Sequence, residues 1–166
     1  MFLKPNIKQV RITNLEPGFL KKKGIRALIL DVDNTLSTHH GQQLTEGLES
    51  WLAKMHKENI KLIILSNSKR ERVEPFAAKI GLDFISMGLK PLPFRFFSAM
   101  AALGTKRKET AIVGDQIFTD VLGGNLTGIT TILLDPILPE TALRFRVKRK
   151  LEKAIIKIYG IHNTEE

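Results

Sequence analysis

Ile25-Arg26-Ala27-Leu28-Ile29-Leu30-Asp31-Val32-Asp33-Asn34-Thr35 joins an apolar run to two carboxylates, and its reading decides the fold. The run reads as a strand buried on both faces, as parallel strands are. Asp31 and Asp33 then sit where that strand ends, the position at which open α/β sheets hold ligands. Residues i and i+2 of a strand point the same way, so both carboxylates converge on one cleft. The pattern recurs downstream. Ser66-Asn67 follow the run 60–65, Lys90-Pro91 follow 84–89, and Gly114-Asp115 with Asp120 follow 111–113. One polar group at a strand end carries little weight, but four in succession define a site.

Between these runs the apolar spacing changes from strand to helix. The segment 45–58 places Leu48, Trp51, Leu52 and Met55 on one helical face, with Thr45 as its N-cap and Trp51 in the core. Further helices are expected at 69–80 before Gly81, from about 93 to 103 before Gly104, and from about 119 to 125. Strands are expected at 83–87, 110–113 and 130–134 as well. This βαβα rhythm predicts an α/β fold, a doubly wound parallel sheet in three layers. No repeat or low-complexity linker interrupts it, so residues 1–166 are expected to form a single domain.

Composition narrows the setting. There is no cysteine, hence no disulfide framework and no thiolate nucleophile or ligand. No apolar stretch approaches the ~18 residues of a transmembrane helix, and the opening residues lack a long apolar signal region. A cytoplasmic location is the expectation. The charge balance is unusual, with 26 Lys and Arg against 17 Asp and Glu, a formal net charge of +9. Such an excess favours an anionic partner: phosphate, nucleic acid or acidic lipid.

The polar groups are those that phosphoryl transfer needs. One carboxylate can attack phosphorus, and a second can protonate the leaving alcohol and then activate water. A hard cation such as Mg²⁺ screens the repulsion between nucleophile and phosphate. Asp115 is a further ligand candidate. Lys90 supplies a fixed positive charge, Ser66 can bind phosphoryl oxygens, and Asp120 can orient Lys90 or a metal-bound water.

In this order the residues resemble the haloacid-dehalogenase superfamily of Asp-nucleophile phosphatases. Asp31, Asp33 and Thr35 match its first motif, Ser66 the second, Lys90 the third, and Asp115 with Asp120 the fourth. Similarity extends to the small bacterial subclass IIIA YqeG family, through Leu3-Lys4-Pro5, the run 24–29, the run 73–77 and the run 119–125. The resemblance implies Asp31 as nucleophile and metal ligand, and Asp33 as acid/base that ligates metal through its carbonyl. It implies Asp115 as a metal ligand, with Thr35, Ser66, Asn67 and Lys90 around the substrate. It also implies a sheet order of 5-4-1-2-3, counted from the strand before Asp31. Mitochondrial relatives are phosphatidylglycerophosphate phosphatases, which implies a lipid phosphate monoester as one substrate. The third motif has one lysine where Lys-Lys-Pro is usual. The loop 37–43 has no matching acidic or aromatic pattern, and its adjacent His39 and His40 read as exposed rather than metal-binding.

The gaps between motifs are too short for a separate cap domain, so an open cleft is expected, suited to a bulky substrate; oligomerisation would also close it. From Arg144 to Lys157, seven basic residues face one acid, Glu152, around an apolar stripe of Leu143, Val147, Leu151, Ile155 and Ile158. This predicts a basic amphipathic helix over about 141–159. Its favoured placement has the stripe on the sheet, and the other puts it on an anionic membrane, peripheral at the inner face. Two further readings remain at this point: a nucleotide or nucleic-acid phosphatase, and a non-catalytic RNA- or protein-binding module on the same fold.

Overall fold

The computed structural model describes residues 1–38, 41–139 and 142–164, with Arg144 described by its backbone alone. His39 and His40 lie outside the described residues. The elements run β1 (Ile7–Gln9), α1 (Pro17–Lys22), β2 (Ala27–Leu30), α2 (Leu48–Lys57), β3 (Lys61–Leu65) and α3 (Arg70–Ile80). They continue with β4 (Phe84–Ile85), α4 (Phe94–Leu103), β5 (Thr110–Gly114), α5 (Leu122–Thr127), β6 (Thr130–Leu134) and α6 (Leu143–Ile158).

All strand pairs are parallel, in the order β1-β6-β5-β2-β3-β4. From β6 to β4 this is the order expected. β2 lies between β3 and β5, and the chain winds away from it in both directions, which opens a crevice at its carboxyl end. The strand alternates between two cores. Leu28 and Leu30 join Trp51, Met55, Val73 and Phe76 on one face, while Ala27 and Ile29 join Phe96, Ala99 and Met100 on the other. Among the described residues no separate folded unit covers the strand ends.

Three expectations need correction. Thr45 does not cap α2: the cap position is Gly47 in a left-handed conformation (φ 76°), and the Thr45 hydroxyl donates to the Leu36 carbonyl at 3.2 Å. A sixth strand, β1, extends the sheet beside β6. It is three residues long, too short for an alternation to show, and it exists because β6 and Thr164 offer partners. Lys8 N–H donates to Thr164 Oγ1, and Thr164 N–H returns to the Lys8 carbonyl, covering the sheet edge.

The third correction concerns α6, which docks through Glu152, Arg149, Ile155 and Ile156, leaving most of the apolar stripe exposed. Glu152 is 3% exposed, and Ile155 and Ile156 pack with Ile117, Val121 and Leu133. The stripe Leu143, Val147, Leu151 and Ile158 is 52–75% exposed. Phe145 and Ile156, which fall off the stripe, are half-buried, as is Ile155 of the stripe itself. Charge decides this outcome. Arg149 and Glu152 find buried partners in the Asp115 loop, and those hydrogen bonds outweigh burial of the leucines.

Candidate active site

Each motif is placed by the strand before it. Asp31 N–H donates to the Val113 carbonyl, carrying the β2–β5 ladder one residue further. The Val32 carbonyl then accepts from the N–H groups of Thr35, Leu36 and Ser37, turning the chain back behind Asp33. Asn34 occupies the left-handed region there (φ 58°), and its carbonyl and side-chain oxygens accept from Ile137 and Leu138 N–H. Asparagine tolerates that conformation better than most residues.

Lys90 arrives on a strained loop, where Met87 and Leu89 are left-handed at φ 49° and 52°. The strain is offset by bonds to the second motif. Met87 N–H donates to the Ser68 carbonyl, and Gly88 N–H to that of Ser66. Asn67 clamps the Lys90 backbone from both sides, accepting from its N–H at 2.7 Å and donating to its carbonyl at 3.1 Å.

The loop delivers the Lys90 ammonium, 2% exposed, between two carboxylates: 2.8 Å from Asp31 Oδ1 and 2.6 Å from Asp120 Oδ1. Gly114 permits this arrangement, because a Cβ there would overlap the Asp120 carboxylate. Asp33 is held separately, accepting from Arg72 Nη2 at 2.9 Å and from the Ser68 hydroxyl at 2.9 Å. Ser66 is buried and its hydroxyl accepts from Ser68 N–H.

Asp31, Asp33, Ser66, Asn67 and Lys90 line one cleft of about 560 Å³. Thr35 does not reach it; it borders a separate groove, and its buried hydroxyl has no hydrogen-bond partner. The Asn67 amide is engaged with Lys90, so this residue positions the lysine.

Carboxylate oxygens of Asp31, Asp115 and Asp120 lie within 4.8 Å of one another, all buried. Asp115 Oδ1 has no hydrogen-bond partner. A buried oxygen-only cluster with an unsatisfied anionic oxygen fits a hard divalent cation. The Asp33 carboxylate stands apart from this cluster, with Arg72, leaving its main-chain carbonyl as the atom that could ligate.

Burial pushes the Asp31 carboxyl up to about 7; Lys90 opposes the rise, and Asp120 and Asp33 add to it. Burial likewise raises Asp115 well above the ordinary range against the pull of Arg149. Between pH 4 and 7, then, folded Asp31 keeps a proton that the unfolded chain has released. Its contribution to the stability of the metal-free protein falls as pH rises through that window. A divalent ion held by Asp31 and Asp115 would displace the protons of both raised carboxyls, so metal affinity should rise with pH through this window. Metal titrations followed by melting temperature at pH 5.5, 6.5 and 7.5 check this; an affinity flat across the series contradicts it.

Several residues at the site had no signal in the motif pattern. Arg72 and Ser68 flank Asp33. Arg149 of α6 donates to the Asp115 carboxylate and, at 2.7 Å, to its carbonyl. Glu152 pairs with Arg149 at 2.9 Å and accepts from Ile117 N–H at 2.8 Å, fastening the loop that carries Asp115. Phe145 and Lys148 also line the cleft. For Arg72, spacing of six residues from Ser66 on a helix was the available clue; for α6, only the docking of a distant helix reveals the role.

A parallel sheet whose central strand ends in two aspartates, with a lysine bridging the first of them to a third, defines a class of hydrolases. The family model for haloacid dehalogenase-like hydrolases matches residues 7–128, and the chain belongs to that family. Over 145 residues it is 34% identical to the probable phosphatase YqeG of Bacillus subtilis (strain 168), spanning 87% of this chain and 84% of that one. Phosphatidylglycerophosphate phosphatase 1, chloroplastic/mitochondrial, of Arabidopsis thaliana is 24% identical over 166 residues, 94% of this chain and 48% of the plant protein. The cobalt-bound deoxy-D-mannose-octulosonate 8-phosphate phosphatase of Haemophilus influenzae superposes with a TM-score of 0.55 at 16% identity, covering 84% of this chain and 92% of that one. At that identity the likeness speaks for the fold alone.

Proposed function

We propose that this hydrolase is a Mg²⁺-dependent phosphatase acting on phosphate monoesters through an aspartyl-phosphate on Asp31. The observation that carries the reading is the Lys90 ammonium between Asp31 and Asp120, with Ser66 at the same cleft. An Asp31 oxygen attacks phosphorus, and the bond to the leaving oxygen breaks as Asp33 gives that oxygen its proton. Asp33 then takes a proton from water, which attacks phosphorus and frees Asp31 as inorganic phosphate departs. Ser66 and Lys90 hold the phosphoryl oxygens, while Ser68 and Arg72 keep the Asp33 carboxyl aimed. Asp31 and Asp115, with the Asp33 carbonyl, would hold the metal, which supplies charge neutralisation between nucleophile and phosphate.

Phosphatidylglycerophosphate, or a similar membrane phosphate ester, is the proposed substrate. The Arabidopsis relative supports this, as does α6, whose exposed stripe is flanked by Arg146, Lys150, Lys153 and Lys157. Exposed Leu89, Leu92 and Phe94 surround the Lys90 loop. Such a surface suits peripheral attachment to an anionic membrane. No helix among the described residues is long and apolar enough to cross one.

Phosphate release from a panel of esters, this lipid included, with Mg²⁺ or EDTA, tests the chemistry. Sedimentation with phosphatidylglycerol vesicles tests the surface. Metal-dependent release is expected, fastest on the lipid, with binding to vesicles. A panel without release removes the phosphatase reading, and release restricted to water-soluble esters without vesicle binding removes the lipid.

A further inference from the structure

The cleft is larger than one phosphoryl group requires, since pockets of roughly 300–1,000 Å³ accommodate whole ligands, and its surplus charge has a definite place. Of the cations lining it, Lys90 is paired with Asp31 and Asp120, and Arg72 with Asp33. Lys69, exposed at the start of α3, and Lys148 of α6 line the same cleft. Neither has a carboxylate partner among the described residues. Lys148 Nζ instead donates to the neutral amide oxygen of Gln116 at 2.5 Å, an oxygen shared with the Thr119 hydroxyl. That bond fixes a half-buried ammonium at the cleft wall without neutralising it. Phe145, one turn earlier on α6, adds an aromatic surface to the same wall. α6 lies beyond residues 7–128, the span matched by the family model.

We propose that Lys148 and Lys69 form a second anion subsite, which selects phosphate monoesters whose leaving alcohol carries its own phosphate or phosphodiester. The subsite rests on the phosphatase reading and sharpens it: α6 takes over substrate selection that a cap would otherwise perform. An ammonium held by one neutral hydrogen bond gains a charge-assisted contact when such a group arrives. Because the contact lies away from the reacting phosphorus, it acts on binding of substrate and transition state alike and shows in KM.

The experiment compares three esters on wild type, Lys148→Glu, Lys148→Arg and Lys69→Glu with Mg²⁺. p-Nitrophenyl phosphate has an uncharged leaving group, fructose 1,6-bisphosphate carries a second free phosphate, and dihexanoyl phosphatidylglycerophosphate carries a lipid phosphodiester. The selectivity, kcat/KM on a doubly anionic ester over that on p-nitrophenyl phosphate, should fall at least tenfold in each Glu variant, through KM. Lys148→Arg should keep it within about threefold. The ester that loses more identifies the source of the second anion. Equal losses on all three esters, or a selectivity within twofold of wild type, overturn the subsite. Calorimetric binding of the same two doubly anionic esters to Asp31→Asn, with and without Lys148→Glu, decides the matter without turnover. Tenfold weaker binding with Lys148→Glu supports the subsite even if no ester is hydrolysed, an outcome that would remove the phosphatase reading alone; unchanged binding overturns the subsite.

Discussion

Asp31→Asn should abolish phosphate release, by on the order of 10⁴-fold or more, while the protein keeps its fold. The amide occupies the same volume at the end of β2 but cannot form the acyl phosphate, and among the described residues no other carboxylate lies where Asp31 does. Asp33 faces Arg72 and Ser68, and Asp115 faces Arg149. Lys90 retains Asp120 as its partner in the variant. The buried carboxyl of Asp31 is already pushed up to about 7, so a neutral side chain costs the metal-free fold little. Melting temperature and circular dichroism should therefore match wild type near neutral pH. Turnover within tenfold of wild type would refute the aspartyl-phosphate mechanism, whereas collapse of the fold would show that Asp31 is structural.

Lys90→Met should harm both stability and catalysis. Removing the ammonium leaves two nearly inaccessible carboxylates facing each other, and breaking a buried ion pair from one side costs about 3–5 kcal/mol. Burial tends to drive the Lys90 pKa down, but Asp120 and Asp31 outweigh it and raise the pKa above its ordinary value, so the lysine is charged across the working pH range. The deficit should shrink as pH falls from 7 toward 5, because protonating Asp31, whose carboxyl burial pushes up to about 7, relieves the repulsion in the variant. Turnover at a temperature where the variant is folded should drop roughly 10²–10³-fold, the typical loss for one electrostatic contact to the developing charge. Denaturant melts at pH 5 and 7 with single-turnover rates separate the two effects. A variant as stable as wild type at pH 7 would mean that water reaches the carboxylates and screens them.

The α6 result connects these sites to the rest of the molecule. Its buried Glu152 and half-buried Arg149 grip the Asp115 loop, while Lys148 and Phe145 border the cleft. One helix thus touches the candidate metal cluster, the candidate substrate wall and, through its exposed stripe, whatever surface the protein meets. The apolar spacing of Leu143, Val147 and Leu151 suggested a face packed on the sheet. That inference failed because hydrophobic periodicity reports which residues are alike, and a docking face is chosen by what the partner surface offers. Here the partner surface holds the Asp115 carboxylate, which takes Arg149, and the backbone N–H groups of Ile117 and Phe118, which donate to Glu152.

The place of Asp31, Ser66 and Asp115 directly after strands and the core position of Trp51 were determined by the sequence itself, while the strand order from β6 to β4 followed from the family resemblance. Their signals are local: an apolar run followed at once by a polar residue fixes both strand and site, since consecutive residues cannot separate. Tertiary structure alone decided the rest. It formed β1 against β6, turned Thr35 out of the cleft, set Asn67 on the Lys90 backbone, and brought Arg72 to Asp33 and α6 to Asp115. Each of these depends on groups far apart in the chain or on opposite sides of a turn, and their pairing energy exists only once the sheet has brought them together.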